Sequence, residues 1–122
     1  MENEKIVLPH HHSDSEESVL SKLPSAEDCT QTAELLKLVS EPNRLRIFWF
    51  LSHCEECVNN IGAAIGLSNQ ALSHHLKILK AGGLIECRRN GKEIYYKATD
   101  TQVSRFLHVY LEELLQITCP LS

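Results

Sequence analysis

Two cysteines, three positions apart in the segment HCEEC, are well suited to bind a soft metal ion. Cys54 and Cys57 could offer two thiolates to one ion, with Cd(II), Pb(II) and Zn(II) favoured and As(III) or Cu(I) as further candidates. A Cys-x-x-Cys pair indicates zinc strongly only when a second ligand pair follows at suitable spacing, and none follows here. A metal site would therefore need further ligands, and the candidates are Cys29, Cys119, His10, His11 and His12.

A second segment, LSNQALSHHLKILKAGGL at residues 67–84, contains adjacent histidines within a predicted helix. Neighbouring side chains on a helix diverge by about 100°, so His74 and His75 cannot close on one ion. Leucines at i, i+4 and i+7 define the inward side, and His75 lies beside them as a packing or capping residue. The outward side then carries Asn69, Gln70, Ser73, His74 and Lys77.

These outward residue types are those that contact nucleic acid. Asn and Gln pair with adenine through two hydrogen bonds, Ser and His exchange hydrogen bonds with base edges, and Lys reaches guanine or phosphate. An ordinary solvated helix surface is the alternative interpretation. Basic residues just after the helix favour DNA, because a reading helix and a cationic hairpin would face the duplex together.

The charge distribution supports a nucleic-acid partner better than the total does. The 122 residues carry a formal net charge of −4. Residues 1–41 hold nine acidic side chains against three lysines, whereas residues 67–97 hold six basic side chains against two acidic ones. A basic surface on an acidic chain is still an electrostatic footprint for DNA.

Length, composition and cysteine number bound the class of protein. A chain of this length, 43% hydrophobic and 23% charged, suits one soluble globular domain. It has no apolar run of the roughly 20 residues that cross a bilayer, so we expect a cytoplasmic protein with no membrane partner. Five cysteines, an odd number, favour thiols or metal ligands over a disulfide framework.

The remaining pattern predicts mostly helices. Residues 1–26, rich in serine and acids, predict a flexible or partly ordered acidic arm, and residues 27–122 predict the folded domain. A helix starts in CTQTAELLKLVS, and a largely buried one follows, with Ser40 as cap and Pro42 in its first turn. VNNIGAAIG is a short helix ended by Gly66, and Ser68 caps the reading helix, which Gly82 and Gly83 end. Two helices joined by the short segment GLS are typical of a helix-turn-helix, which we therefore predict here.

The segment LIECRRNGKEIYYKAT predicts a β-hairpin. The Asn90-Gly91 dipeptide favours a two-residue type I′ turn. That turn would place Arg89 opposite Lys92, Arg88 opposite Glu93, Cys87 opposite Ile94 and Ile85 opposite Tyr96, with apolar pairs on one face.

A last helix, capped by Thr99 or Asp100, carries more apolar side chains than a terminal helix of so small a domain needs. We therefore expect it to form a homodimer interface together with the helix near residues 30–39. The predicted fold is mainly α with a β-hairpin wing: a homodimeric winged helix-turn-helix in the order α-α-α-α-β-β-α.

Three segments together closely resemble the ArsR/SmtB family of metal-responsive repressors: EPNRLRIFWFL, ECVNNIGAAIGLSNQALSHHLKILKAGGLI and RRNGKEIYYKATD. The similarity covers roughly residues 30–117. It implies a winged-helix homodimer that binds a palindromic double-stranded DNA operator and leaves it when an effector binds. It also implies base or backbone contacts by Asn69, Gln70, Ser73 and His74, and wing contacts by Arg88, Arg89 and Lys92.

The resemblance implies two kinds of metal site, and this sequence departs from both. In the family's thiolate site, Cys57 matches the first residue of a Cys-x-Cys element, but Asn59 stands at the second, so Cys54 would have to serve instead. In the zinc-type site on the last helix Asp100 is kept, whereas Gln102, Glu113 and Gln116 replace the expected ligands. His108 is expected to be a surface or interface histidine.

The sequence therefore predicts a DNA-binding repressor released by a soft metal ion at a cysteine-containing site, with no organic cofactor and no enzymatic activity. The alternative of the same fold is a repressor that responds to thiol oxidation or persulfide formation. A thiol–disulfide enzyme is disfavoured because such enzymes place their Cys-x-x-Cys motif in a βαβ setting. A winged helix used only for protein contacts is a further alternative, and a steep fall of DNA affinity with salt would argue against it.

Overall fold

The structure is a computed structural model that describes residues 6–120. Two units divide between Thr32 and Ala33. The N-terminal unit contains a short helix that the sequence pattern did not predict, α1 (Glu16–Ser21), and the start of α2 (Ala26–Lys37). No side chain of α1 is buried, so this segment is part of no hydrophobic core.

The second unit is built from four further helices and a small sheet. The elements are α3 (Pro42–Leu51), β1 (Glu56–Cys57), α4 (Val58–Ile65), α5 (Asn69–Ala81), β2 (Ile85–Asn90), β3 (Glu93–Ala98) and α6 (Gln102–Leu115). The three strands are antiparallel in the order β1-β3-β2. We did not predict β1, whose two residues are too few to show an alternating pattern. No helix within residues 6–120 has the length and apolarity needed to cross a membrane.

The core of the second unit lies where α3, α4, α5 and α6 meet the sheet. Ile47 and Phe48 of α3 are fully buried, as expected for a helix with almost no polar side. Leu72, Leu76 and Leu79 of α5 are at most 2% exposed. Burying a leucine is worth about 1.5–3 kcal/mol, so this stripe fixes the rotation of α5 about its own axis.

The helix ends confirm some predicted caps and correct others. Ser68 caps α5, since its Oγ accepts a hydrogen bond from the Ala71 amide at 3.2 Å, and Gly66 ends α4 with a φ of 83°. Glu41, not Ser40, caps α3, because the Ser40 hydroxyl donates to the Leu36 carbonyl and so belongs to the preceding turn.

The cap of α6 also differs from the prediction. Thr101, not Thr99 or Asp100, accepts the hydrogen bond of the Ser104 amide. The Thr99 hydroxyl instead donates to the Gly83 carbonyl at the end of α5, and the Asp100 carboxylate pairs with Arg105.

The hairpin forms, but its predicted turn and register are wrong. Gly91 and Lys92 form the turn, so Asn90 pairs with Glu93, Arg89 with Ile94 and Arg88 with Tyr95. Only Gly91 has a positive φ there, as a type II′ turn requires, whereas type I′ would need Asn90 to adopt one too. Relative to the predicted register, each pairing partner shifts by two residues. Because this number is even, every side chain stays on its predicted face of the hairpin, and Ile85, Cys87, Tyr96 and Ala98 share one side.

The Ser68 cap gives a direct stability test. Ser68→Ala removes the acceptor for the Ala71 amide, and we expect the free energy of unfolding to fall by about 1 kcal/mol. Ser68→Asp keeps an acceptor at the same place and should retain most of that stability. Urea denaturation at one fixed protein concentration measures both. Equal losses in the two variants would show that the cap does not stabilise α5.

Candidate nucleic-acid interface and candidate metal centre

The five outward residues of α5 form an exposed polar surface, which we call the reading face. All of them are exposed, whereas the three leucines on the opposite side are buried. The members of the reading face are Asn69, Gln70, Ser73, His74 and Lys77. His75 is partly buried at its edge, with Nδ1 lying 3.6 Å from the Glu41 carboxylate that caps α3. The neighbouring histidines therefore have different surroundings, as the helical geometry predicts.

The three basic residues of the hairpin also have different surroundings. We call β2, β3 and the turn between them the wing. Arg88 makes two hydrogen bonds to Glu55, at 2.9 and 2.8 Å, and its guanidinium lies 5.1 Å from the centre of the Tyr95 ring. Those hydrogen bonds from Arg88 lower the pKa of Glu55. Arg89 and Lys92 are exposed near the tip.

The Cys54–Cys57 pair is not gathered with a third metal-binding side chain in the described part of the second unit. Cys54 Sγ lies 3.5 Å from the Phe50 carbonyl, and burial together with the nearby Glu56 raises the pKa of the Cys54 thiol. Cys57 stands at the N-cap of α4 and opposite Tyr95 in the sheet. A raised pKa leaves less thiolate, the form that binds metal.

The other expected ligands are not part of any metal-binding group found among the described residues. In the N-terminal unit Cys29 is exposed on α2, and His10, His11 and His12 are exposed before α1. His11 lies 3.6 Å from Asp14 and 3.9 Å from Glu16. In the second unit, Asp100 is exposed and engaged by Arg105.

A different set of side chains does converge, and we call it the His/Glu/Cys cluster: His53, His108, Glu112 and Cys119. One donor atom from each lies within 4.8 Å of all the others. His53 Nε2, His108 Nε2 and Glu112 Oε2 form a triangle with edges of 3.1, 3.1 and 3.2 Å. Cys119 Sγ lies 3.5 Å from His53 Nδ1.

The cluster is shielded from solvent. The side chains of His53, Glu112 and His108 are 8%, 13% and 22% exposed. Trp49 supports the carboxylate from the α3 side, where its indole N–H donates to Glu112 Oε2 at 3.2 Å. Burial alone would raise the pKa of Glu112, but the hydrogen bonds from His108 and Trp49, with the field of the histidines, lower it overall. Glu112 is therefore a carboxylate at neutral pH.

Sequence reasoning did not assemble this cluster. We expected His108 to face solvent or a second subunit, and considered Cys119 only as a spare ligand. The spacing of His108 and Glu112, four residues apart on one helix, is a signal that was present in the sequence. His53 could not be found this way, because it lies 59 residues before Glu112 and meets it only through packing of α3 on α6.

Comparisons with known proteins agree with this architecture. A family model described as a helix-turn-helix domain matches residues 39–88. The chain is 33% identical over 105 residues to a transcriptional repressor SmtB homolog of Synechocystis, a match that covers 84% of this chain and 80% of that protein. It is 31% identical over 119 residues to the cadmium resistance transcriptional regulatory protein CadC of Listeria innocua, covering 94% and 99%.

A solved structure shares the fold. A homodimeric winged helix-turn-helix DNA-binding domain from Mycobacterium bovis, described as a possible ArsR-family regulator, superposes with a TM-score of 0.62 at 28% identity. The match covers 88% of this chain and 89% of that one. The predicted winged helix-turn-helix is thereby confirmed. The chain has an exposed reading face and a basic wing, and its relatives are transcriptional repressors. It belongs to the ArsR/SmtB family of DNA-binding transcriptional repressors.

Proposed function

We propose that this chain is a homodimeric repressor that binds a palindromic operator through α5 and the wing, and releases it when a thiophilic or borderline metal ion binds. The observation that carries the DNA-binding part is the reading face. Its five polar side chains are exposed because the leucines opposite them are buried, and the basic wing follows directly.

The proposed dimer uses the outer side of α6. Val103, Phe106, Val109, Tyr110 and Leu114 are all exposed there, with Phe106 at 59% and Leu114 at 75%. An apolar stripe of this kind marks an interaction surface. The similarity to a homodimeric domain favours a second copy of the chain as its partner. A two-fold dimer would present two reading faces to successive major grooves, about 34 Å apart.

On DNA, Asn69, Gln70, Ser73 and His74 would contact base edges, and Lys77 a base or a phosphate. Arg89 and Lys92 would bind phosphates beside the groove. Arg88 gives two of its five N–H donors to Glu55, so this carboxylate competes with a phosphate for its positive charge. We say that Arg88 is held in reserve, because its charge is paired with Glu55 while the other two basic side chains of the wing, Arg89 and Lys92, are exposed.

Two observations support a metal effector. The relative from Listeria innocua is named for cadmium resistance, and the second unit brings nitrogen, oxygen and sulfur ligands together in the His/Glu/Cys cluster. Metal and operator would bind with negative coupling of about 1–3 kcal/mol, and the operator would weaken metal binding by the same factor. The thiol-switch alternative gains no comparable support, since the raised pKa of Cys54 leaves it largely protonated.

The reading face is tested by one substitution and a matched control. Gln70→Ala should weaken binding to an operator recovered from a randomised duplex library by about 5- to 150-fold, because one bidentate base contact is lost. Gln102→Ala removes the same side chain from the exposed start of α6 and should leave affinity unchanged. Fluorescence anisotropy measures both. An equal effect of the two substitutions would exclude Gln70 from the interface.

The reserve role of Arg88 makes a second prediction. Glu55→Gln should free Arg88 for a phosphate, raising operator affinity and steepening the plot of log affinity against log salt by about 0.9. Glu93→Gln removes the same charge from the wing but leaves the Arg88–Glu55 pair intact. Affinity should then rise only slightly, with the slope unchanged. If the control steepens the slope as much, Arg88 is not held in reserve.

The effector part is tested with the fully reduced protein. Zn(II) or Cd(II) should weaken operator affinity by about 5- to 150-fold, and a chelator should restore it. The same titration with Mg(II) is the control, because hard cations prefer all-oxygen sites. An operator affinity that no thiophilic or borderline ion changes would contradict metal sensing and leave DNA binding intact.

A further inference from the structure

We propose that His53, His108, Glu112 and Cys119 bind one zinc-like divalent ion within a single subunit, and that this ion links α6 to the DNA-binding elements. The inference names the effector site and therefore rests on the proposed function. It departs from the Cys54–Cys57 site and from the zinc-type site around Asp100, both of which came from sequence reasoning.

The triangle of donor atoms has the size of a coordination site. In a regular tetrahedron the ligand–ligand edge is about 1.6 times the metal–ligand distance, so zinc bonds of about 2.0–2.1 Å give edges of about 3.3 Å. The observed edges between the two Nε2 atoms and Glu112 Oε2 are 3.1–3.2 Å. An ion could therefore bind these three atoms after movements of only a few tenths of an ångström.

Hydrogen bonds alone do not satisfy this triangle. If both histidines donate from Nε2 to Glu112, two N–H groups face each other across 3.1 Å. If one Nε2 accepts from the other, its lone pair also faces the carboxylate oxygen. In either arrangement one edge joins two donors or two acceptors. A cation at the centre removes the conflict, because all three atoms then direct lone pairs toward it.

Cys119 supplies the fourth ligand, and its sulfur sets which metal ions the site prefers. Its sulfur lies 3.5 Å from His53 Nδ1, beside the ring whose Nε2 belongs to the triangle, and within 4.8 Å of one ligand atom of each other member. The Cys119 side chain would turn toward the ion, and the thiol would lose its proton to solvent as the metal–sulfur bond forms. Two imidazoles, one carboxylate and one thiolate suit Zn(II), Co(II) or Cd(II) in tetrahedral geometry and do not suit Mg(II) or Ca(II). Trp49 donates a hydrogen bond to Glu112 Oε2, the oxygen that faces both histidines, and so orients the carboxylate as outer-shell partners orient metal ligands.

A surface pocket borders one member of the shielded cluster, His108. An open pocket of about 320 Å³ is lined in part by Cys54, Asp100, Arg105 and His108. At about 100° per residue, His108 lies on the side of α6 opposite the exposed apolar stripe, so the pocket that it lines faces away from the proposed dimer surface. An ion could therefore enter without opening the proposed dimer.

The position of the cluster in the chain explains how it would act on DNA binding. His53 lies two residues after the end of α3, and two residues later Glu55 binds Arg88 of the wing. His108 and Glu112 belong to α6, which carries the proposed dimer surface. An ion bound by both segments would fix α6 against the end of α3, and so would set the angle between the dimer surface and the reading face.

Cobalt substitution tests the ligand set without any DNA. Co(II) added to the reduced protein should give the strong visible bands of tetrahedral cobalt and a thiolate charge-transfer band in the near ultraviolet. Cys119→Ser should abolish the charge-transfer band, and His108→Gln should weaken Co(II) affinity by about 100-fold or more. The control Cys54→Ser/Cys57→Ser should keep both signals. Loss of the charge-transfer band in that control, with retention in Cys119→Ser, would overturn the proposal.

The unsubstituted protein provides two further measurements that no folding defect can obscure. Zn(II) should change the emission of Trp49, the single tryptophan of the chain, because its partner Glu112 becomes a ligand. Zn(II) should also protect Cys119, and not Cys54 or Cys57, from alkylation as read by peptide mass. Unchanged emission together with unprotected Cys119 would likewise overturn the proposal.

The outcomes separate this inference from the proposed function. If Co(II) binds with the expected spectrum but operator affinity does not respond to metal, the site is correct and metal-dependent repression is wrong. If metal releases the operator equally from the unsubstituted protein, Cys119→Ser and His108→Gln, repression by metal is correct and this site is wrong.

Discussion

The burial of one leucine stripe on α5 is the constraint on which the rest of the structure depends. Leu72, Leu76 and Leu79 are at most 2% exposed, and a helix that buries one side has to present the other. Replacing any of them by alanine would cost about 2–5 kcal/mol, far more than a surface contact returns. The core thus decides, before any ligand is present, which polar side chains of α5 can meet a DNA groove.

The same core brings distant parts of the chain to one place. Packing of α3 against α6 is what lets His53 meet His108 and Glu112, and Trp49 reinforces the contact with its hydrogen bond to the same carboxylate. On one side of this contact, Glu55, two residues after His53, binds Arg88 of the wing, and on the other α6 carries the exposed apolar stripe. In the proposed repressor an ion at this point would connect the dimer surface with the DNA surface through a few packed side chains.

Local patterns in the sequence predicted helices α2 to α6, the Ser68 cap and the exposure of the reading face, because each depends on residues three or four positions apart. The same reasoning failed where the sequence offers two local solutions. Asn90-Gly91 and Gly91-Lys92 can both form a two-residue turn, and the observed turn requires a positive φ of Gly91 alone. Ser40 and Glu41 can both cap α3, and Ser40 is taken by the Leu36 carbonyl. The cluster of His53 with Glu112 depends on tertiary packing, which no local period records.

The exposed side of α5 and the tip of the wing form the proposed DNA-binding surface. Amide NMR spectra of the isotope-labelled protein with and without its operator would map this surface. The largest shift changes should fall at residues 68–77 and 89–92, with small changes along the buried leucines. Changes concentrated on the outer side of α6, with the reading face unaffected, would contradict this assignment.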